Sequence, residues 1–382
     1  MIVFDNADHF DISFQEGVYQ YARALYERGL CLIILPITDR TSWQLSRHGA
    51  LQSFEHEALF LPTPSTEAII KKRIAFLQDR VADGNGRTSH EYFVKRNITL
   101  SVKDLEAFTK SLQKIFLQTA IVSTWIGSLA NHDVRRALHL ARNLVTSPHL
   151  RVEDLLKAHL TGSALSLPQS RAAMALIRGN YDTYPLHQHE FVQNVFWMSD
   201  DVQTSPLLAV RLLQVLTDAP VQGSDGAFLT VDQVVDYCQA MGFEPRAIYS
   251  WLDALLKAGL CLNYDPTVLD IADATRLEIS PAGRQHLTWS RANNEYVSAM
   301  ADVTPIFEEA AYDSIVGAIQ TGGGWRGKTA AFIEYLVVED ARYCLVPGHS
   351  AYGGQVELKE SFEFLSRRLA PAQLEIPHAT ST

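Results

Sequence analysis

Cysteine is scarce in this chain of 382 residues. Cys31, Cys238, Cys261 and Cys344 are scattered, with no CxxC pair and no zinc spacing, which argues against a disulfide framework or a cysteine-built metal site. Three of them sit in apolar runs and read as small core residues, and Cys238 lies in a helix-like stretch. No run approaches the roughly 18 apolar residues that a membrane-spanning helix needs. The start, Met1-Ile2-Val3-Phe4-Asp5, has no basic segment, so a signal peptide is not expected and a reducing cytoplasm fits. Cations are outnumbered: 33 Lys and Arg against 43 Asp and Glu give a net charge of -10. A field of that sign repels phosphate polymers, so nucleic-acid binding has to rest on a local patch. No G-x-S-x-G, H-E-x-x-H or Gly-rich dinucleotide fingerprint stands out, and there is no internal repeat.

What remains is a globular composition, 47% hydrophobic and 20% charged, at a length suited to two to four domains. Hydrophobic spacing describes an α-rich α/β chain. Ile2-Val3-Phe4 is a short apolar run closed by Asp5. Phe14, Val18, Tyr21, Ala22 and Leu25 share one helical face, and Gly29 stops that helix. Leu30 to Ile37 is nearly continuous apolar sequence, as a strand covered on both faces requires. The order is that of a βαβ unit, so its two strands are expected to run parallel, with Asp5 ending a buried one. From Thr66 to about Leu160 the spacing is helical. Helices are expected over Thr66 to Arg80, Ser101 to Thr109, Lys110 to Leu117, Ser123 to Ala130 and Asp133 to Leu144, with a break at Asp83-Gly84-Asn85-Gly86.

Residues 206–292 read as a winged helix-turn-helix. A helix from Pro206 to Leu216 is followed by one capped at Thr230 and running to Met241. A third runs from Glu244 to Ala258 and ends at Gly259. The strands Leu260-Cys261-Leu262 and Leu277-Glu278-Ile279 then form a hairpin before Pro281 opens a last helix. Residues 293–370 form a helical C-terminal region, with an apolar run at Phe332 to Val338 and a helix over Ser361 to Leu369. Residues 371–382 read as a disordered tail.

A carboxylate closing a buried strand is well placed to hold a Mg²⁺ ion that bridges nucleotide phosphates, and Thr38 at the end of the second strand can touch the same phosphate. Val3-Phe4-Asp5-Asn6-Ala7-Asp8 resembles the Walker B segment of AAA+/STAND P-loop ATPases. Leu32 to Thr38 resembles their sensor-1 strand, and Pro62 to Leu77 the entry into the lid. Asn131-His132-Asp133-Val134-Arg135-Arg136-Ala137-Leu138 resembles the start of the sensor-2 helix, whose arginine reaches the γ-phosphate. The resemblance covers roughly residues 1 to 290. It implies a partial parallel-sheet ATPase core over 1–62, an all-α lid over 63–165, a linker over 166–205 and the winged helix over 206–292. It implies ATP or ADP and Mg²⁺ as ligands, Asp5 holding the metal, Asn6 beside it in the catalytic position, and Arg135 or Arg136 reading the γ-phosphate. Two positions depart from the pattern. Asn6 stands where many members carry a water-activating glutamate, and an amide cannot take the proton. His132 stands where a glycine precedes the aspartate. Outside the resemblance, Asp5 also reads as an acid capping a neighbouring loop, and Arg135-Arg136 as a solvated helix face.

A phosphate-binding loop should precede the acidic strand, and none does. The pattern G-x-x-x-x-G-K-[ST] occurs once, from Gly322 to Lys328-Thr329, but the segment before it reads as a helix and Trp325 is bulky for a loop that wraps phosphate. A Gly-rich turn between helices is the simpler reading of that segment. The chain is therefore expected not to hydrolyse ATP appreciably alone; either it is a truncated product or another chain supplies the front half. In the winged helix, Arg246, Ser250 and Lys257 would face DNA or a partner. Residues 206–290 hold five basic and ten acidic residues, a balance of -5, so a protein partner is favoured over DNA. His187-Gln188-His189-Glu190 reads as a polar loop rather than a metal site, and Trp197-Met198 as core. The expected function is nucleotide sensing and signal relay in a STAND-type ATPase. The alternative is a winged-helix regulator or adaptor with no nucleotide role.

Overall fold

The computed structural model describes residues 1–7, 10–29, 31–38, 42, 57, 59–82, 102–161, 167–198, 204–218, 228–345 and 358–369. Asp8, Asp39-Arg40, the expected break at 83–86 and the 371–382 tail lie outside the described residues.

Strands β1 (Ile2–Val3) and β2 (Ile33–Ile34) pair in parallel, with Ile2 opposite Ile33 and Val3 opposite Ile34, and helix α1 (Ile12–Glu27) connects them. The helix starts where Asp11 accepts the N–H of Phe14 at 2.9 Å and ends before Gly29, whose φ is +65°. The parallel βαβ unit is therefore as expected, but its burial is not. Ile2 and Val3 are 38% and 47% exposed, and Leu32 and Ile34 are 62% and 42% exposed, alternating with half-buried Cys31, Ile33 and Leu35. The apolar run suggests a strand covered twice, whereas among the described residues α1 covers one face of β2.

The helical part begins with α2 (Thr66–Ala82) and α3 (Val102–Gln113), which continues into a π-helical turn at Lys114–Gln118. The two helices expected over 101–117 are thus one helix with a widened last turn. Next come α4 (Ala120–Leu129), α5 (Val134–Thr146), α6 (Val152–Leu160) and α7 (Gln169–Arg178). The 184–198 stretch has no regular structure yet is largely buried. Helix α8 (Leu208–Asp218) is buried on all sides from Leu208 to Leu216, so it lies in the middle of the core rather than on its surface.

Around α8 pack α9 (Val231–Ala240), α10 (Pro245–Lys257) and α11 (Pro281–Ala292). A small antiparallel sheet joins them: β3 (Leu229–Thr230), β4 (Cys261–Asn263) and β5 (Arg276–Ile279), in the order β3-β5-β4. Local chemistry sets the starts of these helices. Thr230 and Gln233 form a reciprocal capping box, Ser280 accepts the N–H of Gly283, and proline opens α10 and α11. The chain continues through α12 (Asn294–Ala301), α13 (Glu309–Ala318), a kink at Ile319–Gly323, α14 (Gly324–Arg342) and α15 (Lys359–Leu369). One apolar cluster runs from Ile70 to Leu369 through all of these, and Trp125 of α4 meets Trp289 of α11 edge-on at 5.7 Å.

The turn between α4 and α5 is clasped to the β-sheet unit. Asn131 and His132 both take left-handed conformations, with φ of 50° and 59°. The Asn131 amide donates to the Gly259 carbonyl at 2.7 Å and accepts from the Ala282 N–H at 2.8 Å. Gly259 itself has φ +69°, and a side chain on Gly283 would overlap the Leu260 carbonyl, so both glycines are required for this close approach. Asn131→Gly keeps the turn conformation and removes both bonds. It is expected to lower the unfolding free energy by about 2 kcal/mol in urea denaturation. An unchanged midpoint would show that the clasp contributes nothing.

Candidate functional site

The residues proposed to meet a nucleotide start at the carboxyl end of the parallel strand pair. Asp5 and Thr38 both follow their strands and both are exposed. Carboxyl ends of parallel strands are where α/β sheets place ligands. Asp5 Oδ1 accepts the N–H of Asn6 at 2.9 Å, and Asn6 has φ +62°, so this short turn fixes its own carboxylate. Mg²⁺ is commonly held by one or two carboxylates with nucleotide phosphates supplying further ligands, and Asp5 fits such a place only with phosphates present. Among the described residues no group of three His, Cys, Asp or Glu could hold a metal by itself.

Helix α5 begins at Asp133, whose side chain accepts the N–H of Arg136 at 2.8 Å. The left-handed φ of His132 explains why glycine suits the position before that cap; holding it costs a histidine roughly 1–2 kcal/mol. Arg135 lies on the second residue of the helix, exposed, with no ion pair among the described residues. A cation there faces the positive end of the helix dipole, so helix stability does not account for it. Arg136 points elsewhere. Its guanidinium lies 5.2 Å from the Phe191 ring centroid and 3.9 Å from Glu190, which also has His139 at 3.5 Å. Consecutive helical residues diverge by about 100°, so the two arginines cannot serve one ligand from the same face.

Lys328 is buried to 8% exposure and donates to Asp302, which Arg178 also approaches at 3.7 Å. The glycines before it form the kink between α13 and α14, with Gly322 at φ 84° and Gly324 at φ 56°. Thr329 is buried and donates to the Trp325 carbonyl at 2.6 Å. A helix-to-helix turn precedes Lys328, as the sequence indicates, and Lys328 is joined to Asp302.

On α10, Arg246, Tyr249, Ser250 and Lys257 are exposed together. Lys257 donates to Asp253 at 2.7 Å, which raises its pKa and neutralises the end of that face. The acids of the β4–β5 loop serve the backbone. Asp265 accepts from the N–H and hydroxyl of Thr267, and Asp270 accepts from the N–H of Ala272.

Several structural residues escaped the sequence. The irregular 184–198 stretch is held by side chains from elsewhere. His286 Nε2 accepts the Gln193 N–H at 2.9 Å while its Nδ1 donates to the Ala282 carbonyl at 2.7 Å. His189 Nδ1 accepts from Phe191 and Val192, and its Nε2 donates to Leu176. These bonds fix both rings as neutral, and burial pushes both pKa values down to about 4. The Tyr296 hydroxyl donates to Gln193, and Asn194 donates to Thr304. His187-Gln188-His189-Glu190 is thus a structural loop, and Phe191, Val192, Val195 and Met198 are core as expected, whereas Trp197 is half-buried. A cleft of about 590 Å³ lies between α11 and α15, lined by none of the residues singled out in the sequence. Its signal was Arg284, Thr288 and Arg291, four and three residues apart on one helical face.

No protein-family model, curated protein or solved structure matches the chain.

Proposed function

We propose that this chain senses nucleotide and relays the signal, as the rear part of an ATPase of the AAA+/STAND kind. One observation carries the proposal: the parallel pairing of β1 and β2 sets Asp5 and Thr38 beyond the same end of one sheet. The exposed Arg135 at the start of α5 supplies a guanidinium suited to a terminal phosphate. The α8-β3-α9-α10-β4-β5 order, with β5 central, supports a winged helix behind the lid. The Asn131 clasp gives the relay a physical form, since a movement of the α5 start pulls directly on Gly259 and Ala282. The exposed apolar face of β1 and β2 supports a further α/β segment as partner, because parallel sheets are ordinarily covered on both sides. Hydrolysis needs backbone amides and a lysine around the phosphates, so the chain alone is expected to bind without turnover.

ATP with Mg²⁺ is expected to raise the melting temperature by a few degrees, and Asp5→Ala or Arg135→Ala to abolish that rise. A melting temperature indifferent to nucleotide leaves the second reading, a winged-helix adaptor that binds protein. The engagement of Arg136 by Glu190 and Phe191, and of Lys328 by Asp302, favours that alternative. The acidic balance of residues 206–290 disfavours DNA as the partner in either reading.

A further inference from the structure

The cleft between α11 and α15 is cationic in a chain of net charge -10. Arg284, Thr288 and Arg291 share one face of α11, so one anion at the level of Thr288 is within reach of both guanidiniums. Ser361 of α15 brings a hydroxyl from the opposite wall, whereas the hydroxyls of Thr217 and Thr288 donate to the Leu213 and Arg284 carbonyls of their own helices. Arg291 donates to the Ser361 hydroxyl at 3.3 Å, which orients its guanidinium across the cleft. Arg284 is exposed and makes no ion pair among the described residues, although Glu278 is near enough to feel its charge. A third guanidinium stands at the rim: Arg368 donates to the Ala292 carbonyl and lies 5.7 Å from the Phe364 ring centroid, and both residues line the cleft.

The other walls differ in kind. Leu287, Ala292 and Phe364 give an apolar side, and Glu360 gives one acceptor. Asp218 is close enough to Arg291 to offset part of its charge, and burial raises its own pKa. Two lining guanidiniums and the Ser361 hydroxyl offer more donors than one carboxylate accepts; the three terminal oxygens of a phosphate monoester match them better. The cleft's volume lies in the range of small-molecule sites, roughly 300–1,000 Å³, which favours a metabolite over a macromolecule.

We propose that this cleft binds a small phosphate monoester, its phosphate held by Arg284, Arg291 and Ser361 and a flat apolar part set against Leu287 and Phe364. The proposal is independent of the nucleotide reading, because Asp5 and Arg135 take no part in it. Titration calorimetry on the whole chain with phenyl phosphate, inorganic phosphate and benzoate tests it. Phenyl phosphate is expected to bind tightest, and Arg284→Gln and Arg291→Gln each to weaken it by at least about ten-fold. Asp5→Ala should leave phenyl phosphate affinity unchanged. Arg284 is exposed, so its variant is expected to fold normally even if Arg291→Gln disturbs the Ser361 contact. Absence of binding by all three probes would overturn the proposal. So would equal affinity for benzoate, or full affinity in the Arg284→Gln variant.

Discussion

Arg211→Met is expected to lower the unfolding free energy by about 4 kcal/mol, and adding Asp340→Asn is expected to restore most of that loss. Arg211 lies in the middle of α8 at 2% exposure and pairs with Asp340 of α14, itself nearly buried. Its guanidinium also donates to Gln214 at 2.7 Å. Burial lowers the pKa of Arg211 and raises that of Asp340, and in each case outweighs the attraction of the partner. Desolvation therefore wins over the charge pairing. A pair of that kind adds little net stability, but removing one member strands the other charge in the core. Asparagine retains an acceptor for the backbone N–H groups of Leu358 and Lys359, which the Asp340 carboxylate now takes. In the single variant, Asp340 is left to bind a proton more readily folded than unfolded, so its deficit should shrink as pH falls. Urea denaturation of the three proteins decides the matter. A double variant no more stable than Arg211→Met would show that the ion pair itself holds α8 to α14.

The second large effect is acid destabilisation. His189 and His286 have folded pKa values pushed down to about 4 against an ordinary 6.5. Between those values the unfolded chain binds protons that the folded chain refuses, so stability falls as pH falls. At about pH 5 this amounts to about 2 kcal/mol for fully buried His286, and somewhat less for partly exposed His189. Charge on one ring would also repel charge on the other, which reinforces refusal of the second proton. The raised carboxyls of Glu339 and Asp340 act in the opposite direction, since the folded state there binds the proton more tightly. Variants separate the contributions. His286→Gln is expected to be less stable at neutral pH but to lose about 2 kcal/mol less on going to about pH 5. A pH dependence unchanged by His286→Gln would mean that the imidazole is not its source.

What the sequence made legible was local. Thr230 with Gln233, Asp133 and the stops at Gly29 and Gly259 mark element ends through bonds made within a few residues. The parallel sense of β1 and β2 follows from a helix lying between them. Burial was harder to read. Ile2, Leu32 and Ile34 have the composition of core strands, but the cover such strands need is a tertiary fact, and among the described residues α1 supplies one side. The pairing of β3 with β5 also escaped, because two residues, Leu229 and Thr230, carry no alternation to detect. In the candidate site, the sequence offered Arg135 or Arg136 as the guanidinium; helical geometry sends the two in different directions, and Glu190 with Phe191 engages the second. The long-range bonds of Asn131, His286 and Arg211 gave no signal, since each of these residues also reaches a group 93 to 151 residues away.

The all-round burial of α8 has a consequence for synthesis. Its partner Asp340 lies 129 residues downstream of Arg211. At bacterial or eukaryotic elongation rates the ribosome needs on the order of ten seconds to supply that stretch. Through that interval a helix that is buried on every side in the finished protein lacks part of its surroundings, so its apolar side chains need shielding, by a chaperone or by provisional contacts, until α14 emerges.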